Sequence, residues 1–279
     1  MGLFNRSFIQ VLRKIIDKSE EFTADEFKRR IINTENEYTY SLLLQIRNKI
    51  NSHNLLGLFA NSTILTQTLP PKLERDYGAD ACIILVDHDQ RISKVCLFEA
   101  KLPRHGSPWD QIQKNKQGNN KSHFSSQLSR QHPISQTYAI WEQFYCYGYN
   151  QANSLNNIRT QKNCKLTAAY KSLCLLHEDA YIHDCTNNGS VWNISDIEKT
   201  VPSYSNNSNF KPITMSGMVK HACDCKIGTP LILNEILSTF SDSIYIPTIL
   251  FIEASTEKND IRFSDIFKRE NPTFTFVSR

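Results

Sequence analysis

The chain has 279 residues, of which 40% are hydrophobic and 22% are charged. This composition is that of an ordinary globular protein of one large domain, and it excludes wholesale disorder. The formal net charge of +4 is too small to identify a partner by itself.

Neither a membrane span nor a secretion signal is evident in the sequence. No apolar run approaches the ~20 residues that cross a bilayer. Residues 1–16 lack the apolar segment and the small-residue cleavage site of a signal peptide. We therefore expect a soluble, cytoplasmic protein with reduced cysteines.

The first predicted elements are two helices and a hairpin. Apolar residues recur at helical spacing over 3–16, which predicts an amphipathic helix packed on the core. Thr34 and Glu37 form a capping box, which predicts that a second helix starts there. Two apolar runs, 80–87 and 95–98, flank a polar turn at 87–90 and predict a β-hairpin.

The rest of the chain alternates loosely between helical and strand patterns. Helices are predicted around 124–130, 137–147 and 230–240, strands around 169–176 and 244–253, and an edge strand at 274–277. Polar or Asn/Ser-rich loops are predicted after Pro103 as far as 120, and at 150–165 and 186–211. We expect a mixed α/β domain covering residues 1–279.

Glu99-Ala100-Lys101 is the pattern that carries chemistry. A second Glu-x-Lys triplet, Glu26-Phe27-Lys28, lies in an ordinary helical context. A turn centred near Asp89 sets Asp80 opposite Glu99, and strand alternation puts Glu99 and Lys101 on one face. Two carboxylates and an ammonium then meet at a strand end, where they suit Mg²⁺ and a phosphate.

These residues resemble the PD-(D/E)xK, or restriction-endonuclease-like, nuclease superfamily. The matching segments are Gly78-Ala79-Asp80 and Phe98-Glu99-Ala100-Lys101, and the departure is Ala79 where the motif has proline. The resemblance implies a mixed central sheet flanked by helices. It also implies that Asp80, Glu99 and the Ala100 carbonyl bind Mg²⁺ or Mn²⁺, and that Lys101 is the catalytic lysine.

Several further residues have no place in the motif. Glu37 is a candidate third acid, although its capping role explains it equally well. Gln127 and Gln131 share one helix face and suit either a phosphate or a solvated surface. Glu74 and Asp76 are interchangeable candidates for outer acids.

The segment after the triplet is basic. Residues 101–130 contain six Lys or Arg residues and the single acid Asp110. Such a segment neutralises substrate phosphates, or simply keeps a loop solvated. The candidate nucleic-acid-binding residues are Arg104, Lys114, Lys116, Lys121 and Arg130.

Three other groups of residues leave alternatives open. His221, Cys223 and Cys225 would supply three zinc ligands, but their spacing departs from that of structural zinc sites. A looser set is formed by Cys174, His177, His183 and Cys185. The aromatic residues between 141 and 149 either stack nucleic-acid bases or belong to the core.

Together these patterns predict an Mg²⁺-dependent DNA endonuclease. Residues 35–131 would form the catalytic core, and 133–279 would complete the sheet and supply recognition loops. Two alternatives stay open, an RNA nuclease using the same site and a non-catalytic binding module. The sequence does not fix the oligomeric state, for which a homodimer is one alternative, nor the cleavage specificity or the biological role.

Overall fold

The computed structural model describes residues 2–52, 59–67, 78–102, 109–114, 120–145, 172–200, 214–240, 246–257 and 262–277. The helices in these ranges are α1 Arg6–Lys28, α2 Glu35–Ser52, α3 His123–Gln131, α4 His177–Thr186, α5 Ile194–Thr200, α6 Met215–Cys223, α7 Leu233–Phe240 and α8 Phe263–Glu270. The strands are β1 Phe59–Thr66, β2 Ala81–Asp87, β3 Ile92–Lys101, β4 Ile112–Lys114, β5 Asn120–Ser122, β6 Ala139–Tyr145, β7 Ser172–Leu176, β8 Leu231–Ile232, β9 Thr248–Ser255 and β10 Thr275–Phe276.

In this part of the chain, eight strands form one mixed sheet. Their order is β10-β1-β9-β2-β3-β6-β7, with β8 added to the start of β3. The pairs β2/β9 and β3/β6 are parallel, and the other pairs are antiparallel. The β2–β3 hairpin therefore occupies the centre of the sheet, and β4 and β5 pair separately.

Helices cover both faces of the sheet, as its apolar composition requires. On one face α1, α2 and α6 bury a cluster that includes Leu12, Leu43 and Met218 against Ile83 and Phe98. On the other face, α3 and α4 cover the β6/β7 end, and α7 and α8 cover the strands nearer β9. Because both faces are covered, every residue of β2 and β9 is buried, and each strand has an uninterrupted apolar run, 81–86 in β2 and 249–252 in β9.

The predicted hairpin is confirmed, together with its register. Ala81 pairs with Phe98, and the Asp80 N–H donates to the Phe98 carbonyl over 3.0 Å. Asp80 therefore lies opposite Glu99. The predictions of α1, α2, α3, α7, β7, β9 and the edge strand β10 are confirmed in kind within the described ranges. Two bounds differ: α1 continues beyond residue 16 to Lys28, and α7 starts only after the short strand β8.

The helix predicted over 137–147 is wrong, because residues 139–145 form the buried strand β6. All seven of its residues are buried, so the run has neither a helical nor an alternating period. Two of its polar residues make side-chain contacts inside the core. The Trp141 indole donates to Gln143 Oε1 over 2.9 Å, and Glu142 contacts His177.

Two predicted loops contain regular structure. Helix α5 lies within the loop predicted at 186–211, and the short β4–β5 pair lies at the end of the loop predicted as far as 120. Trp141, Phe144 and Tyr145 are buried, which confirms the core interpretation of those aromatics. Tyr147 and Tyr149 lie outside the described residues. None of the described helices is both long and apolar enough to pass through a bilayer.

Candidate active site

Asp80, Glu99 and Lys101 lie together at one end of the central hairpin. Phe98 and Ala100 point into the cluster beneath α1 and α2, so alternation puts Glu99 and Lys101 on the opposite face. Asp80 Oδ2 accepts a hydrogen bond from the Ala100 N–H at 2.7 Å. This bond fixes the Asp80 carboxylate against the triplet.

Glu99 is the centre of the contacts. Lys101 Nζ and Gln127 Nε2 both donate to Glu99 Oε1. Glu99 is 1% exposed and Lys101 is 8% exposed, whereas Asp80 is partly open to solvent. The Glu99–Lys101 ion pair is therefore enclosed by protein, and Asp80 is the most solvent-accessible of the three residues.

The third acid of the site is Glu35, which the sequence analysis missed. Glu35 stands in the first turn of α2, and its Oε2 accepts the Leu102 N–H at 2.7 Å. An acid in a first helical turn is common, because it complements the helix dipole. Nothing in the local sequence distinguishes Glu35 from other acids in such positions.

Glu37 caps the start of α2, which was the alternative to its prediction as a third acid of the site. Its Oε2 accepts the Asn33 and Thr34 N–H groups at 2.8 and 3.0 Å, and the Glu37 N–H donates to Thr34 Oγ1. These backbone hydrogen bonds lower the pKa of Glu37. The Glu37 side chain is exposed at the start of α2. The acid of this helix whose charge raises the pKa of Lys101 is Glu35.

The carboxylates perturb one another. Burial raises the pKa of Glu99 well above its ordinary value, and the charges of Asp80 and Glu35 add to the rise, against the effect of Lys101. Burial also raises the pKa of Asp80, opposed by Lys101 and the Ala100 N–H. Burial alone would lower the pKa of Lys101, but Glu99, Glu35 and Asp80 raise it. Lys101 therefore stays charged.

With its carboxylates ionised, the cluster has more negative than positive charge. Asp80, Glu99 and Glu35 surround the single ammonium of Lys101, which occupies the place of a cation beside Glu99. Gln127 Oε1 is buried and has no hydrogen-bond partner among the described residues. An unneutralised set of hard oxygen donors in an enclosed place favours binding of a cation.

The donor set fits Mg²⁺ or Mn²⁺ held largely by water. Within the described ranges, no group of three or more His, Cys, Asp and Glu side chains is arranged to hold a metal by itself. Mg²⁺ keeps several waters and usually takes only one or two carboxylates from a protein, so Asp80 and Glu99 suffice.

Gln131 and Gly78 hold the segment that leads into Asp80. Gln131 Nε2 donates to the Gly78 carbonyl, so the two predicted glutamines share the face of α3 that points to the site. Gly78 has φ of +61°, and a Cβ there would lie 3.1 Å from the Gln127 carbonyl oxygen. The close approach of α3 therefore depends on glycine at this position.

A second missed acid, Glu142, lies beside the site on β6. Glu142 is the register partner of Glu99, and its Oε1 is 3.0 Å from His177 Nδ1. Glu142 Oε2 and His177 Nε2 are buried without hydrogen-bond partners among the described residues. The prediction of a helix over this segment concealed the pairing.

Two of the five proposed substrate contacts, Arg104 and Lys116, lie outside the described residues. The candidate outer acids Glu74 and Asp76 also lie outside them. Lys114 and Lys121 stand in β4 and β5, and only their backbones are described. Arg130, on α3, donates from Nη1 to Ser126 Oγ over 2.8 Å.

The His221, Cys223 and Cys225 group lies at the end of α6, beside a buried lysine. Lys94 Nζ donates to the carbonyls of Ile227 and Gly228 at 2.6 and 2.7 Å, and it also interacts with Cys225. A neighbouring ammonium disfavours a cation. The geometry lends no support to zinc here.

No family model, curated protein or solved structure matches the chain significantly.

Proposed function

We propose that this protein is a divalent-cation-dependent nuclease that hydrolyses DNA phosphodiester bonds, built on a restriction-endonuclease-like sheet. The observation that carries the proposal is the convergence of Asp80, Glu99 and Lys101 on one face at one end of the β2–β3 hairpin. A Glu-x-Lys triplet that arises by chance is not expected to have an aspartate opposite its glutamate on a paired strand. The second triplet, Glu26-Phe27-Lys28, lies within α1.

Asp80 and Glu99 would hold Mg²⁺ or Mn²⁺, with the Ala100 carbonyl as a further ligand. Such an ion lowers the pKa of water and offsets negative charge on a phosphate. Glu35 adds a negative charge at the same place, and its hydrogen bond to Leu102 fixes the chain directly after the triplet. Gln127 orients the Glu99 carboxylate from the side of α3.

Lys101 would act on the substrate as a fixed positive charge. The surrounding carboxylates raise its pKa, so it is an ammonium and not a general base at neutral pH. Its three N–H donors suit the oxygens of the scissile phosphate, whose negative charge grows as the reaction proceeds. With DNA bound, Lys101 would exchange its contact with Glu99 for one with phosphate.

The basic segment supports a nucleic-acid substrate. Arg104, Lys114, Lys116, Lys121 and Arg130 follow the triplet in the chain and would neutralise the DNA backbone on either side of the cleaved bond. Each phosphate contact adds to the salt dependence of binding, so affinity should fall steeply with ionic strength.

A cleavage assay on plasmid and single-stranded DNA, with and without Mg²⁺ or Mn²⁺, tests the proposal. Asp80→Ala and Lys101→Ala should each lower the cleavage rate by about 100-fold or more while folding and DNA binding persist. Lys28→Ala, in the second triplet, is the matched control and should cleave normally. An Asp80→Ala protein that cuts at the wild-type rate would refute the assignment.

The same preparations separate the rival functions. Faster cleavage of RNA than of a DNA strand of matched sequence would assign the site to RNA. A non-catalytic module would show no cleavage with either cation, and calorimetry would detect no Mg²⁺ binding that depends on Asp80 and Glu99.

A further inference from the structure

A basic cavity lies between the start of α1 and the end of α6, on the helical layer formed by α1, α2 and α6. Its volume is about 520 Å³. The charged side chains that line it are Arg6, Arg13, Lys220, Asp224 and Lys226. Four cations thus face a single carboxylate.

The cavity is remote from the candidate active site. Gln90, in the turn of the β2–β3 hairpin, donates to the carbonyls of Gly2 and Leu3 at 3.2 and 2.9 Å, and Gly2 lines the cavity. Glu99 and Lys101 lie at the other end of β3. At about 3.3 Å per residue along a strand, the two places are roughly 30 Å apart.

The positive charge of the cavity is only partly neutralised. Lys220 pairs with Asp224. Arg13 Nε is buried and has no hydrogen-bond partner among the described residues. A buried guanidinium donor without an acceptor is costly in a folded protein, unless a ligand supplies the acceptor.

The pKa of His221 is affected by the same positive charges. Burial lowers its pKa to about 4, and the charges of Lys226, Lys220 and Arg13 contribute to the fall, against the opposing effect of Asp224. A bound anion would offset these charges and raise the pKa of His221.

The lining suits a phosphorylated molecule of moderate size. Small-molecule sites typically measure about 300–1,000 Å³ and combine apolar walls with a few charged groups. Phe4 and Ile9 supply apolar surface here. Arginine matches phosphate oxygens in a bidentate fashion, and lysine adds a point charge. We propose that this cavity binds the phosphate groups of a nucleotide, with the apolar wall against the nucleoside.

Isothermal titration of the full chain with ADP tests the proposal, in EDTA so that the candidate active site is without metal. One saturable site is expected. Arg13→Gln and Lys226→Gln should each weaken binding about tenfold or more, because each removes a charge-assisted hydrogen bond to phosphate. Asp224→Asn should tighten binding several-fold, a gain that misfolding does not produce.

Two controls locate the site. Lys14→Gln removes an exposed cation of α1 outside the cavity and should leave ADP binding unchanged. Lys101→Ala should also leave it unchanged, and loss of binding in that variant would overturn the proposal by placing ADP in the candidate active site. In wild-type protein, ADP should raise the pKa of the His221 ring in an NMR titration.

Pyrophosphate and a short 5′-phosphorylated oligonucleotide identify the source of the phosphate. Tighter binding of the oligonucleotide than of ADP, with the same response to Arg13→Gln, would assign the site to the end of a nucleic-acid strand. Pyrophosphate binding as tightly as ADP would overturn the nucleotide assignment. Absence of saturable binding of all three probes at millimolar concentration would overturn the proposal altogether.

Discussion

Glu35→Gln is the sharpest test of the carboxylate cluster, because it removes one charge and keeps the shape. The amide oxygen of glutamine can still accept the Leu102 N–H that Glu35 Oε2 accepts at 2.7 Å. The main change is therefore the loss of one negative charge beside Glu99 and Lys101.

The magnitude follows from Coulomb's law. Two unit charges about 6 Å apart interact by about 3 kcal/mol at an effective dielectric constant of about 20. A divalent ion doubles the attraction, and solvent and nearby Lys101 reduce it. We expect Mg²⁺ binding to weaken by about 2–3 kcal/mol, a factor of roughly 30–150 in Kd.

Isothermal titration with Mg²⁺ at neutral pH measures the change, with Glu37→Gln as the matched control. Glu37 lies one half-turn along the same helix and caps it, so its replacement should lower thermal stability slightly and leave Mg²⁺ affinity unchanged. Wild-type Mg²⁺ affinity in Glu35→Gln would contradict the reasoning, as would an equal loss in both variants.

Three further predictions concern the framework around the sites. Gly78→Ala should lower the free energy of unfolding by about 2 kcal/mol, because alanine is strained at φ +61° and its Cβ would press on α3. Urea denaturation measures this loss, and an unchanged midpoint of unfolding would contradict the prediction. His221 has a pKa lowered to about 4, so the unfolded state binds more protons between pH 4 and its ordinary 6.5, and stability should fall as pH drops through that window. The loss should be on the order of 1–2 kcal/mol for this buried side chain, and His221→Gln should remove that part of the slope. Burial raises the pKa of the Cys82 and Cys96 thiols, that of Cys96 to about 12. Iodoacetamide at pH 8 should therefore label exposed Cys185 before either of them, and mass spectrometry showing earlier labelling of Cys82 or Cys96 would contradict the buried core.

The hairpin and its triplet could be predicted because the information is local. A polar turn between two apolar runs fixes which residues pair, and the pairing brings Asp80 opposite Glu99. Strand alternation then determines that Glu99 and Lys101 share a face. No knowledge of the remaining chain is needed for this part of the site.

Glu35 and Glu142 could not be predicted because their positions depend on contacts between distant segments. Glu35 reaches the site through the placement of α2 against Leu102, sixty-seven residues later in the chain. Glu142 was hidden by a run that is buried on both faces and has no diagnostic period. The capping signal at Thr34 identified the correct helix start, but it drew attention to Glu37.

The layered construction of the site has a consequence for how the protein folds. A hairpin closes within about 1–10 μs, so Asp80 and Glu99 can meet while most of the chain is still unstructured. Glu35 and Gln127 join them only when α2 and α3 dock at the end of the sheet. Docking of α2 and α3 therefore completes the site, and a chain that has made only its hairpin exposes Asp80, Glu99 and Lys101 to solvent without Glu35 or Gln127.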